Sequence, residues 1–293
     1  MTQQTARASY EERINRVIAY VHDHLDDALD LDTLAGVACL SPFHWHRVYH
    51  GMTGETVAAT VKRLRLHRAA GFLVQTDMPV QQVAARSGYP NVQSFTRIFS
   101  AVYGMPPAAY RRKGNHVQFD RPVNPQSTAL HSVSIRQLPE MTGVGIDHSG
   151  SYLLIGRAFD QLFTTLAARR LLRPGMKSVG LYYDDPQCLD EDRLRSCACV
   201  ISDAHIADDP PFRRISQPGG IYAVLRHKGP YSELDKAYQW LFGTWLPQSG
   251  YDAADIPCLE EYLNNPRDVP PRELLTDICI ALTATQDTFK QEG

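Results

Sequence analysis

The sequence predicts two domains of different class: an all-α N-terminal domain with two helix-turn-helix units joined by a linker helix, and an α+β C-terminal domain of two strand-helix-strand-strand repeats. Three observations carry this. First, Trp45, Val48, Tyr49 and Met52 return fifty positions later as Phe95, Ile98, Phe99 and Val102, and the interleaved Phe43, His46 and Arg47 return as Gln93, Thr96 and Arg97. Positions i, i+3, i+4 and i+7 share one face of a helix, so the apolar set faces a core and the polar set projects from another face. Second, after a polar stretch with Pro122 and Pro125 the hydrophobic period changes from helical to alternating. Third, the net charge of −2 hides a split. Residues 1–115 carry 13 Lys+Arg against 9 Asp+Glu, and residues 116–293 carry 17 against 23. A basic front suits phosphate, and an acidic rear does not.

Taken in order, Ser9 and Glu12 read as a capping box heading a first helix with Ile14, Val17, Ile18, Val21 and Leu25 at helical spacing. Leu31 to Ala38 and Val80 to Ser87 are short helices that each precede one of the repeated helices. Ser41 followed by Pro42 reads as the cap and first turn of the first repeated helix, and Asn91 as the cap of the second. A helix, a tight turn and a second capped helix is the helix-turn-helix pattern, here built twice. Between the copies, Glu55 to Gln75 runs without proline as a linker helix. Its roughly twenty residues span about 30 Å, close to the repeat of successive major-groove faces on one side of a duplex. Residues 8–113 then form the front domain, 114–130 a linker and 131–287 the rear domain.

The stretch Arg13 to Arg112 resembles the DNA-binding domain of the AraC/XylS transcription regulators. The resemblance rests on Ala84-Ala85-Arg86-Ser87-Gly88-Tyr89, Phe95-Thr96-Arg97-Ile98-Phe99, Tyr103-Gly104-Met105-Pro106-Pro107 and Tyr110-Arg111, and covers about one third of the chain. It implies double-stranded promoter DNA as the partner, with RNA polymerase beside it. The same faces are expected to meet bases: Arg47 and Arg97 suit guanine or phosphate, Gln93 suits adenine, and Thr96 suits a thymine methyl. Phe43 is expected against sugar or thymine methyl, and Val92 and Ser94 lie at the head of the second reading helix. At His46 relatives often carry glutamine, so no base preference transfers. Phosphate contacts are expected from Lys62, Arg63, Arg65 and Arg68 on the linker helix and from Arg111 and Arg112. Trp45 and Phe95 are expected in the core. His46 and His50, four apart with no carboxylate or cysteine near them in sequence and no counterpart in the second copy, make a poor zinc pair, so no metal is expected.

In the rear domain, Ser132–Leu138 and Gly143–His148 alternate as strands, Leu153–Leu171 reads as a helix, and Ser178–Tyr183 and Ser196–Ser202 are strands. A similar order returns as strand Gly219–His227, helix Tyr231–Phe242 and strands Cys258–Leu263 and Leu275–Leu282, with the helices on one face of the sheet. With His227-Lys228-Gly229-Pro230-Tyr231, Gly250-Tyr251 and Leu259-Glu260-Glu261-Tyr262-Leu263-Asn264-Asn265-Pro266, this half resembles the GyrI-like effector-binding domain. The resemblance implies a groove between two pseudo-symmetric halves that takes bulky aromatic, often cationic compounds, with a glutamate meeting the charge. Alternation puts Glu260 and Tyr262 on one face and Leu259 and Leu263 on the other. If the leucines pack against the helices, Glu260 is the anchor, with Glu261 as the alternative. Tyr182, Tyr222, Trp240 and Tyr262 are the expected ring contacts, through stacking and cation–π interaction. Cys197 and Cys199 share a strand face and read as buried thiols, with a redox pair or metal site as the competing reading.

The leading reading is a transcription regulator that senses a small aromatic or cationic compound, a lipophilic cation among them. One competitor gives the rear domain a protein partner. Another makes it a hydrolase of reactive compounds using Glu260 and Tyr262, although no nucleophile–base triad or metal set is evident, so no catalytic residue and no cofactor is assigned. The absence of an apolar leader before Tyr10 and of any run long enough to span a bilayer predicts a cytoplasmic protein without membrane contact.

Overall fold

The computed structural model describes residues 3–27, 29–114, 131–266 and 268–284. The front half is entirely helical: α1 (Gln3–Asp23), α2 (Leu31–Ala38), α3 (Trp45–Thr53), α4 (Val57–Gln75), α5 (Val80–Arg86), α6 (Val92–Tyr103) and α7 (Pro107–Lys113). Each helix-turn-helix unit has its own core. Ile14, Val17, Leu34, Trp45 and Tyr49 pack together in the first, and Val83, Ala84, Phe95, Phe99 and Tyr110 in the second. Helix α4 belongs to both, giving Leu64 to the first core and Leu66, Ala69, Ala70 and Leu73 to the second. Opposite faces of one helix are buried, so its sequence shows no single apolar stripe.

Three helix starts in the front half differ from expectation. Helix α1 begins at Gln3, so Ser9 lies inside it rather than capping it. Helix α3 begins at Trp45: residues 42–44 form a turn in which Ser41 Oγ accepts from Phe43 N at 3.2 Å, while the same hydroxyl donates to Asp255 at 2.8 Å. The linker helix starts two residues late because Thr56 caps it through the Ala59 N–H. Asn91 does cap α6, its Oδ1 accepting from Gln93 N and Ser94 N at 2.9 Å. The expected linker falls largely on residues 115–130, and the end of the expected rear domain on residues 285–287; both lie outside the described residues.

The rear half contains β1 (Val133–Leu138), β2 (Met141–Ser149), α8 (Gly156–Ala168), β3 (Lys177–Tyr182), β4 (Arg195–Ile201), β5 (Arg213–Gln217), β6 (Gly220–Lys228), α9 (Leu234–Trp240), β7 (Tyr251–Ala253), β8 (Cys258–Tyr262) and β9 (Leu275–Ala284). Helix α9 runs on through a wider π-turn, Leu241–Trp245, into the short α10 (Leu246–Ser249). The sheet is antiparallel in the order β1-β6-β9-β8-β3-β4-β2-β5, with β7 on β9. Read outward from its centre, β3-β4-β2-β5 matches β8-β9-β6-β1, which is the pseudo-symmetry the repeated order predicts. Strands β5 and β7 were not expected: β5 opens on two exposed arginines, and β7 is only three residues long. Helices α8 and α9 cover one face; Cys197, Cys199, Val179, Leu181, Leu259 and Cys279 pack on the other, Cys197 and Cys199 fully buried and not joined in a disulfide. No described helix is long and apolar enough to cross a membrane.

Candidate ligand cavity and nucleic-acid interface

A cavity of about 870 Å³ opens over the centre of the sheet, where β3 and β8 meet between α8 and α9. Glu260 forms its base. Strand alternation sends Cys258, Glu260 and Tyr262 to the helix face, while Leu259 and Glu261 go to the far one. This reverses the reasoning from sequence while keeping its residue: Leu259 packs away from the helices, and Glu261 pairs with Lys177 at 3.1 Å. Glu260 accepts from Tyr238 Oη at 2.9 Å and Tyr262 Oη at 3.0 Å, and Tyr262 Oη lies 2.5 Å from Tyr182 Oη. Gly180 sits opposite Glu260 in register, and a Cβ there would come within 2.8 Å of the Tyr262 hydroxyl and the Tyr182 ring. Only glycine leaves room for this hydroxyl cluster.

Burial raises the Glu260 carboxyl to about 6, against the opposing pull of the Tyr238 and Tyr262 hydroxyls and the nearby Arg47. The tyrosines shift upward, through burial first and then the neighbouring carboxylate, and stay protonated donors. Rings fill the walls: Phe159 and Tyr231 meet Tyr262 edge-on, and Tyr152 meets Tyr182 likewise. The arrangement can hold a flat cation over a carboxylate. Two expected ring contacts lie elsewhere. Tyr222 is buried on the opposite sheet face with its hydroxyl bound to Pro218 O, and Trp240 turns from the cavity to pack beside His131.

The first reading helix is not open to solvent. Helix α3 lies across α9 and the π-turn, where Gly51 and Gly243 touch so closely that a Cβ on Gly51 would stand 2.5 Å from the Gly243 Cα. Val48 and Tyr10 join the core of the rear domain, alongside Leu241, Phe242 and Leu246. Arg13 grips Asp252 through two hydrogen bonds of 2.7 and 3.1 Å, and the His44 ring stacks on Phe242 with its Nε2 2.8 Å from Ile256 O. Arg47, expected at DNA, enters the cavity wall: its guanidinium donates to Cys258 Sγ and Asp184 O, both at 2.7 Å, and lies 4.9 Å from the Tyr238 ring centre. A desolvated contact of that kind contributes roughly 1–2 kcal/mol. His46 is also buried, which holds its imidazole down at about 4 despite Asp185 nearby, and Phe43 is half-buried.

The second reading helix is open. Gln93 and Arg97 are exposed on α6, while Val92, Ser94 and Thr96 are half-buried, Thr96 bonding back to Val92 O. Much of the expected phosphate set is spent inside the domain. Arg65 donates to the carbonyls of Leu25 and Asp27 at 2.7 and 2.8 Å, Arg63 pairs with Glu55, Arg68 with Asp26, and Arg111 bonds Leu73 O. Lys62 and Arg112 remain exposed.

The docked helix was missed because it depends on residues two hundred positions away. One local signal was present: α3 carries Gly51 where α6 carries Ala101. A mid-helix glycine costs roughly 0.5–1 kcal/mol unless a close backbone approach needs it.

Residues 131–283 match the GyrI-like small molecule binding domain family, and residues 34–113 match a helix-turn-helix domain. Over 102 residues the chain is 32% identical to the "Uncharacterized HTH-type transcriptional regulator YbfP" of Bacillus subtilis (strain 168), covering 35% of each chain. Over 95 residues it is 36% identical to the MmsAB operon regulatory protein of Pseudomonas aeruginosa, covering 32% of this chain and 31% of that one. The chain thus spans about a third of the length of these relatives. Among solved structures, the EcmrR C-terminal domain aligns with 54% of this chain and 100% of its own at 17% identity, with a TM-score of 0.45. The chain belongs to the GyrI-like small-molecule-binding family and carries an AraC-type helix-turn-helix domain ahead of it.

Proposed function

We propose that the protein is a DNA-binding transcription regulator in which a small aromatic cation, held over Glu260, competes with the first reading helix for the rear domain. One observation carries this: Arg47 belongs to both surfaces. It occupies the outward position expected to face DNA, and it lines the cavity beside Tyr238. A second positive charge brought to Glu260 meets the Arg47 guanidinium, and the repulsion favours release of α3. With both helices free, α4 holds the readers about one DNA turn apart. The operator then makes contact through Phe43, His46 and Arg47 together with Gln93, Thr96 and Arg97. RNA polymerase is the partner of a promoter-bound regulator.

The site reads as a binding site rather than a catalytic one. Both Glu260 oxygens are engaged by tyrosine hydroxyls, which suits a charge held in place. By linkage, an effector that favours the released helix must bind more tightly when DNA is present. The test is to select an operator from a random duplex pool and measure its affinity with and without a flat aromatic cationic dye. Tighter DNA binding with dye, and tighter dye binding with DNA, support the reading. Independence of the two equilibria overturns it.

A further inference from the structure

We propose that His46, Asp185 and Cys188 form a binding site for a borderline-soft divalent transition metal of the zinc or cobalt type, bridging the first reading helix and the rear domain. His46 comes from α3, and Asp185 and Cys188 from the loop that follows β3. Their donor atoms all lie within 4.8 Å of one another, with His46 Nε2 3.8 Å and Cys188 Sγ 3.7 Å from Asp185 Oδ2. Metal bonds of about 2.0–2.3 Å in tetrahedral geometry set neighbouring donors roughly 3.4–3.7 Å apart, so an ion fits after small side-chain movements.

An independent observation points to a ligand there. His46 is only 8% exposed, and its Nε2 has no hydrogen-bond partner, the Asp185 carboxylate being beyond bonding distance. A buried polar nitrogen left so is destabilising, and a metal bond satisfies it. The loop is also arranged to present its donors. Asp185 Oδ1 accepts from Gln187 N at 3.0 Å, and Cys188 N bonds Asp185 O at 3.0 Å, which leaves Oδ2 towards the imidazole and the thiol. Such second contacts fix the orientation of a ligating carboxylate. A neutral imidazole, a carboxylate and a thiolate balance a divalent charge, and an N/O/S set selects transition metals over calcium or magnesium. Binding releases the thiol proton to solvent, and three protein donors leave a fourth position for water.

The second helix-turn-helix copy cannot do this, having Thr96 at the place of His46. Because one donor is on α3 and two are on the rear domain, the site exists only while the helix is docked. It needs no effector.

The reduced, metal-stripped full-length chain is titrated with cobalt(II) alone, without DNA or dye. The expected result is uptake of one equivalent with thiolate-to-cobalt charge-transfer absorption and tetrahedral visible bands, reversed by zinc. Cys188→Ser removes the charge-transfer absorption, and Cys39→Ser keeps it. His46→Gln and Asp185→Asn weaken uptake by more than the roughly tenfold to hundredfold expected for loss of a supporting hydrogen bond. Cys188 lies in a partly exposed loop, so its variant tests the site even where an interface substitution disturbs folding. No cobalt uptake by the full chain, retained charge transfer in Cys188→Ser, or unchanged affinity in His46→Gln each overturns the proposal.

Discussion

The two helix-turn-helix copies descend from one pattern and end in opposite situations. Helix α6 shows Gln93 and Arg97 to solvent, whereas α3 buries His46, Arg47, Val48 and Tyr49. Their apolar stripes are alike, so the internal cores are alike. The difference lies in the residues between the stripes and in Val48, which packs into the rear-domain core rather than that of its own unit. Gly51 replaces the bulk that Ala101 would offer and packs on Gly243, His44 and His46 stand where α6 carries Ser94 and Thr96, and the rear domain supplies Phe242 to His44, Asp185 to His46 and the Tyr238 ring to Arg47. Repetition in sequence conserves how a unit holds itself together. It does not conserve what the unit's outer face meets.

The largest test removes the docking itself. Gly51→Leu places a side chain where even a Cβ meets backbone at 2.5 Å, and such overpacking costs about 3 kcal/mol or more of the docked state. Hydrogen exchange at α3 should speed up and operator affinity should rise, while Ala101→Leu leaves α3 exchange unchanged; protected α3 amides in Gly51→Leu would break the comparison. Next, Arg97→Ala should lower operator affinity by about 2 kcal/mol and relax preference at one or two bases, with dye binding unaltered. Arg47→Ala should change both binding curves, and separable effects on DNA alone would assign it to the reader only.

Glu260→Gln keeps shape and removes the charge. Affinity for a cationic dye should fall by about 2 kcal/mol, and a neutral analogue of equal size should change little. The pH dependence has a definite sign. The carboxyl titrates near 6 rather than 4.5 because it is buried, so the native state holds its proton to higher pH than the unfolded chain. Its contribution to stability is therefore greatest below 4.5 and is lost as pH rises through 6, while cation affinity rises over the same interval as the carboxylate forms. Arg47 and the hydroxyls of Tyr182, Tyr238 and Tyr262 face this group, and none of them loses a proton in that range. A cation affinity flat from pH 5 to pH 7 would place the charge recognition elsewhere.

The smallest effect concerns the linker helix. Arg65→Ala should destabilise the front domain by about 1 kcal/mol, since it leaves the Leu25 and Asp27 carbonyls unbonded, and should leave the salt dependence of DNA binding unchanged. Lys62→Ala, at an exposed position, should instead reduce that salt slope by about one contact.

Much of the architecture was legible because it is local. The fifty-residue repeat, the α2 boundaries, the Asn91 cap and the doubled strand order all follow from period and capping chemistry within a few turns of chain. Glu260 does face the cavity, but the reason for placing it there failed, since Leu259 packs on the far face; alternation separates two faces but does not label which one carries the helices. Tyr222 and Trp240 show the same limit, being aromatic and near the cavity in sequence yet directed away from it. The basic run on α4 was read as a phosphate strip because charge suggests solvent, but Arg65 and Arg68 close internal contacts that only the fold creates. His46 joined a cysteine and an aspartate more than 130 positions away, which no spacing rule can reach.

Tyr10 and Val48 sit in the same buried cluster as Leu241, Phe242 and Leu246. The covalent boundary near residue 114 is therefore not where the molecule separates most cheaply. Division there uncovers Tyr10 and Val48 together with the flanking Leu40 and Met52, and each large apolar side chain returned to water costs roughly 1.5–3 kcal/mol. A gene fusion that joined this front domain to an unrelated sensor would inherit a sticky face along with its DNA specificity. The two halves are modular as genes but interdependent as solutes, and exchange of either one requires resurfacing the first helix-turn-helix unit.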